Sequence, residues 1–215
     1  MKPFFIILIV VVVIFACIAG YIIFKKKNIT PVPLTGKPAG KVAVVFFSQS
    51  KVGNTALVAQ WIKELVNCDM YSLELKSPYP EPYPETLKVA SKDISEGNHP
   101  ALVSIPNLSD YDIIFLGSPI WYGTYSPPVA TLLDTEKFVG KVVAPFCTHG
   151  GGGSFYFLDD LKKACPDARV LNELAIRGSN QVERRLGIGV TLRHSKNDVI
   201  TWLNGLFPLD KTQTQ

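Results

Sequence analysis

The sequence predicts an α/β domain built on a parallel sheet with helices on both faces. Three observations predict it. Short continuous apolar runs, KVAVVFF (41–47), YDIIFLG (111–117) and KVVAPFC (141–147), read as strands buried on both sides. Between them lie stretches whose apolar residues recur at helical spacing. The two kinds of segment alternate, as a parallel sheet with crossover helices requires.

Ahead of the domain, residues 4–24 (FFIILIVVVVIFACIAGYIIF) carry no charge and are followed by Lys25, Lys26 and Lys27. A run of that length matches the roughly 20 apolar residues a bilayer-crossing helix needs. The expectation is a single-pass membrane anchor over 1–27 that meets lipid through 4–24. The lysines place the soluble domain in the cytoplasm by the positive-inside rule. Two rivals stand beside it: a lipoprotein signal at Cys17, since Ile14-Phe15-Ala16-Cys17 loosely resembles a lipobox, and a cleaved signal peptide. Residues 28–40, with three prolines and two glycines, read as a linker. The domain then runs over 41–207, with a tail at 208–215.

Within the domain the first strand is 41–47. A helix over 55–66 follows, because Leu57, Val58, Trp61, Ile62, Leu65 and Val66 share one face. A second strand is expected at 68–75, where alternation is partial. KSPYPEPYPET (76–86) is too rich in proline for an element, and a helix around 85–97 comes next. Strands at 111–117 and 141–147 are the clearest in the chain. Pro145 conflicts with the latter, because a proline inside a sheet gives up a ladder bond. A helix over 154–165 places Phe155, Leu158, Leu161, Ala164 and Cys165 on one face. A strand at 169–176 and a helix at 197–207, carrying Val199, Ile200, Leu203, Leu206 and Phe207, complete the pattern. Residues 178–196 have no clear period; a short helix and an extended piece are expected there.

The formal charge is +4, with 22 Lys and Arg against 18 Asp and Glu. The excess lies before the domain: 41–207 holds 16 basic and 17 acidic residues. The basic pI is therefore no argument for a nucleic-acid partner. Cys17, Cys68, Cys147 and Cys165 form no C-x-x-C pair, and His99, His149 and His194 are scattered, so no metal site is expected.

Ligands of open parallel sheets bind beyond the carboxyl ends of the strands. Three strand ends stand out. After the first come Ser48, Gln49, Ser50, Gly53, Asn54 and Thr55, leading into a helix N-terminus suited to a phosphate; the bland reading is a helix capped by Asn54 or Thr55. This segment is neither a Walker loop nor G-x-G-x-x-G. After the third come Ser118, Pro119, Ile120, Trp121, Tyr122 and Gly123, whose rings could stack on a planar ligand or simply pack. After the fourth come Thr148, His149 and Gly150, Gly151, Gly152 and Gly153, where backbone amides can approach a ligand closely.

The segments FFSQSxxGNT (46–55), YPEPYPE (79–85), YDIIFLGSPIWYGT (111–124), GKVVAPFCTHGG (140–151) and LKKACPDARVLNELAIRG (161–178) together resemble the flavodoxin-like family, in its flavodoxin_4-type subgroup. The resemblance spans 41–207. It implies a three-layer sandwich with a five-stranded parallel sheet in the order 2-1-3-4-5, binding FMN. Ser48, Gln49, Ser50, Gly53, Asn54 and Thr55 would form the phosphate loop. Pro119, Ile120, Trp121, Tyr122 and Gly123 would flank the flavin ring, with Trp121 or Tyr122 stacking. Thr148, His149, Gly150, Gly151 and Gly152 would face its polar edge. Two features depart from the family pattern: Lys51-Val52 is inserted in the first loop, and the domain is near neutral where simple carrier flavodoxins are strongly acidic. The function implied is FMN-dependent electron transfer at a membrane, by a small oxidoreductase reducing quinone-like acceptors. The alternative is a non-catalytic carrier for a membrane partner. No catalytic acid, base or nucleophile stands out, and neither electron donor nor acceptor is named by any motif.

Overall fold

A computed structural model describes residues 10–18, 32–50, 53–178 and 196–208. Its elements, in chain order, are β1 (Val42–Phe46), α1 (Asn54–Val66), β2 (Asp69–Ser72), α2 (Tyr83–Glu96), β3 (Ile113–Trp121), β4 (Thr124–Tyr125), α3 (Pro127–Thr135), β5 (Val142–His149), α4 (Phe157–Ala164), β6 (Arg169–Val170), β7 (Leu174–Arg177) and α5 (Lys196–Leu206). The sheet runs β2-β1-β3-β5-β6, with β7 also on β5 and the short β4 antiparallel to the end of β3. β6 and β7 are two pieces of one strand position, so the expected order 2-1-3-4-5 holds.

Alternation within the parallel strands builds two cores. Ala43, Val45, Ile114 and Leu116 face one side, where Ala90 of α2, Leu132 of α3 and Leu161 of α4 cover them. Val44, Phe46, Ile113 and Phe115 face the other, against Val58 and Ile62 of α1 and Val199 and Leu203 of α5. The result is helix, sheet, helix: a three-layer sandwich.

Four elements differ from the sequence expectation. β3 continues past 117 to Trp121 and turns back as β4. α3 was not expected, because Pro127-Pro128 looks like a break; prolines are tolerated in a first helical turn, where no N–H is needed, and here they follow the extended N-cap Ser126. α4 begins at Phe157, not 154, so Phe155 leaves the buried face and is 63 % exposed. The strand at 169–176 is split, and Pro145 supplies the reason. Arg169 donates its N–H to Lys141 O and Leu171 its N–H to Val143 O, so the odd-numbered residues of β5 face this edge. The next donor in that ladder would be residue 145, which is proline. Pairing lapses there and resumes at Phe146↔Leu174.

No helix or strand forms over 32–39, and this stretch is bound to α5. Asn204 Oδ1 accepts from Thr35 N (2.8 Å) and Gly36 N (3.0 Å), and Asn204 Nδ2 donates to Pro33 O at 2.9 Å. Gly36 has no room for a side chain: a Cβ there would overlap the Phe207 carbonyl.

The membrane span and the single-pass localisation built on it are corrected. Residues 10–18 are helical. Among the described residues no helix is long and apolar enough to cross a membrane. The rest of 4–24 lies outside the described residues, as do 179–195 of the unread segment and His194.

Candidate functional site

The first loop leaves β1 with Ser48 Oγ donating to Ser50 O at 2.8 Å, and Gly53 N returning to the same carbonyl at 2.8 Å. Gly53, not Asn54 or Thr55, caps α1, in extended conformation and with no side-chain cap hydrogen bond. The first turn of α1 has no acidic residue, so the positive end of the helix dipole is not offset there. A Cβ at Gly53 would overlap Ser48 Oγ. Gln49 Nε2 donates to Thr86 Oγ1 at 3.3 Å, tying the loop to α2.

Thr55 and Thr148 are both buried, and their hydroxyls meet at 2.7 Å. This bond joins the first loop to the third. Beside it the Asn54 amide lies against Gly178, where a Cβ would overlap it. Under Thr148, burial raises the Cys147 thiol above the ordinary range, with Glu173 adding to the effect, so this cysteine is an inert core group.

Tyr122 and Gly123 are the two central residues of the β3–β4 hairpin, with φ of 51° and 88°. Positive φ at both positions is the turn whose twist matches paired strands. It holds Tyr122 at the tip, 57 % exposed, with its hydroxyl donating to Leu87 O at 3.0 Å. Trp121, the other ring expected at this strand end, faces the core. It is 2 % exposed and packs edge-on against Phe47 and Tyr79, with centroids 5.7 and 5.2 Å apart. Pro119 stays within β3, opposite Thr148.

A cleft of about 470 Å³ opens between this hairpin and the glycine-rich loop. Ile120, Tyr122 and Gly123 line it from the hairpin; His149, Gly150, Gly152 and Gly153 from the loop; Phe155 and Tyr156 from the lead into α4. No Lys, Arg, Asp or Glu is among these lining residues. Gly151 carries a φ of 137° and bonds to His149 instead of lining the cleft. Tyr156 N bonds to Gly123 O at 2.9 Å, which closes hairpin and loop into one unit.

Six of the expected residues thus share one cleft, and Thr55 and Thr148 are joined behind it. Ser48, Gln49 and Ser50 line a different cavity, of about 490 Å³, between the ends of β1 and β2. Phe155, Tyr156, Arg177 and Gly178 were missed. For the last two the signal was present: they follow directly on the fifth strand, the position searched for the others.

The sequence model of the family described as Flavodoxin matches residues 41–185. The chain belongs to the flavodoxin family. Among solved structures, a candidate flavoprotein of Bacteroides eggerthii is 24 % identical, with a TM-score of 0.62 over 78 % of this chain and 98 % of its own. A Lactobacillus acidophilus flavoprotein solved in complex with FMN is 23 % identical, with a TM-score of 0.55 over 69 % of this chain and 98 % of its own. Both likenesses are of the flavodoxin fold. No curated protein matches the sequence.

Proposed function

We propose that this flavodoxin binds FMN in the cleft between Tyr122 and the glycine-rich loop and works as a small oxidoreductase that passes electrons to flat, uncharged, quinone-like acceptors. The cleft itself carries the reading. It is open, about 470 Å³, walled by an exposed tyrosine on one side and by glycines on the other. A Cβ at Gly150 or Gly153 would meet nothing within 4 Å, so the loop backbone is bare toward open space. These features suit a planar ring. Tyr122 is assigned as the stacking residue. Thr55, Asn54 and the amides opening α1 are assigned to the phosphate, and Thr148 to orienting Thr55. When bound, FMN supplies the two-electron chemistry; the chain binds it, orients it and keeps water from one face. Among the described residues none that lines the cleft is Lys, Arg, Asp or Glu; this and the near-neutral domain favour a small acceptor over docking to a basic protein partner.

The test is an absorbance spectrum of the purified protein reconstituted with FMN, followed by turnover of a nicotinamide donor with a soluble quinone. A bound flavin spectrum and quinone-dependent turnover are expected. Retention of FMN without turnover would replace the enzyme with a carrier, and failure to bind FMN would overturn the reading.

A further inference from the structure

His149 Nδ1 accepts from two backbone amides, Gly151 N at 3.1 Å and Gly153 N at 3.0 Å. Among the described residues these are the hydrogen bonds made by the amides of 150–153. A ring nitrogen that accepts carries no proton, so the imidazole is neutral, with its hydrogen on Nε2. The loop wraps the ring through Gly151 and Gly153, whose φ of 137° and 89° only glycine adopts readily. The backbone of His149 is itself fixed, since its carbonyl accepts from Gly178 N at 2.9 Å and the residue pairs in register with Arg177.

We infer that His149 is the positioning residue of the glycine-rich loop: its unprotonated Nδ1 holds one wall of the cleft in shape, and protonation there releases the wall. An Nδ1–H would face two N–H groups, losing both bonds and replacing attraction with repulsion. Among the described residues, charged and titratable groups reach the loop or its cleft from three elements. From β7 comes Arg177, whose Nε lies 3.6 Å from where a Gly151 Cβ would sit. From the hairpin comes Tyr122. From the lead into α4 comes Tyr156, which lines the cleft with His149; Asp160 of α4 itself accepts from Thr124 Oγ1 at 2.8 Å and lies 3.2 Å from Lys163. Asp160 is not among the residues lining the cleft.

The inference about the loop stands on the free protein; only its ligand arm rests on the proposed flavin site. Two variants separate the roles. His149→Asn keeps an acceptor, Oδ1, close to the place of Nδ1, and cannot titrate. His149→Leu removes the acceptor. In the ligand-free protein, long-range nitrogen–proton NMR should find the Nε2–H tautomer, and the Gly151 and Gly153 amide shifts should move with the titration of the ring. Those shifts should be pH-independent in His149→Asn. Riboflavin, which has the ring without the phosphate, should bind wild type about tenfold more weakly once His149 is protonated, the loss of two modest hydrogen bonds. His149→Asn should bind with a flat pH profile, and His149→Leu weakly at every pH. An Nδ1–H tautomer, amide shifts indifferent to the ring, or a wild-type pH profile in His149→Asn would each overturn the inference. If wild type binds no flavin, the proposed function fails, and the NMR arm still decides the role of His149.

Discussion

The bond between Thr55 and Thr148 gives a prediction that can be worked through from the structure. Both side chains are buried, at 2 % and 5 % exposure, and the hydroxyls are 2.7 Å apart. Thr55→Val keeps the shape and removes one partner, leaving the Thr148 hydroxyl buried beside a methyl. Stranding a buried polar group in this way costs about 1–3 kcal/mol. At a urea slope of about 2 kcal/mol per molar, the midpoint should fall by roughly 1 M. Thr148→Val should do the same. The double variant, which removes both partners together, should be much less than additive, with a coupling of about 1 kcal/mol or more. Tryptophan fluorescence during urea unfolding reads all four proteins. Single variants within about 0.3 kcal/mol of wild type, or a strictly additive double variant, would refute the reasoning. The same variant tests the phosphate assignment. A hydroxyl has one proton to give, so when Thr148 donates to Thr55, the Thr55 proton is left for an anion. Thr55→Val should then weaken FMN about tenfold more than riboflavin, as expected for one lost bond to a charged group; equal weakening would remove Thr55 from the phosphate site.

Trp121→Ala should destabilise the fold by about 3–5 kcal/mol, as emptied aromatic sites do, whereas Tyr122→Ala should spare stability and weaken flavin binding by about 1–3 kcal/mol; thermal melts and titrations of both variants separate the roles, and the reverse pattern would exchange them. Asn204→Ala should cost about 1–2 kcal/mol and speed amide exchange at Thr35 and Gly36, because three hydrogen bonds to 33–36 go with it; unchanged exchange would mean that 33–36 is held by packing alone. Burial pushes the Cys68 and Cys165 thiols up to about 11. Folding therefore favours their protonated forms. The stability they contribute is complete below the ordinary thiol range, near pH 9, and is lost as pH rises toward 11. Urea midpoints should fall across that window, and Cys165→Ala should lessen the fall after correction for its own cavity.

The sheet, its order and the loops at the ends of β1, β3 and β5 were legible because buried parallel strands leave continuous apolar runs, and the residues after them are those a ligand meets. What escaped depends on backbone detail. Pro127-Pro128 reads as a break unless one knows that Ser126 precedes them as an extended cap. Trp121 and Tyr122 are neighbours in sequence, and only the two positive φ values at Tyr122 and Gly123 decide which ring is exposed. Phe155 fits a helical face by spacing, yet its own φ of 49° places it outside the helix. His149 could be read as a cleft residue, but not as the acceptor for Gly151 and Gly153, since that follows from how four glycines wind back on the ring. The apolar run 4–24 shows the reverse case, in which a strong length signal predicted a span that the described helix does not make.

Pro145 has a consequence at the rim of the sheet. Among the described residues β6 and β7 form its outer edge, and an outer strand offers a row of N–H and C=O groups to which another chain can add. Here that row is cut into pieces of two and four residues with 171–173 between them. A second copy of the chain meets no long, flat template on this side. One missing amide in the sheet interior thus works, one strand away, as a guard against edge-to-edge aggregation.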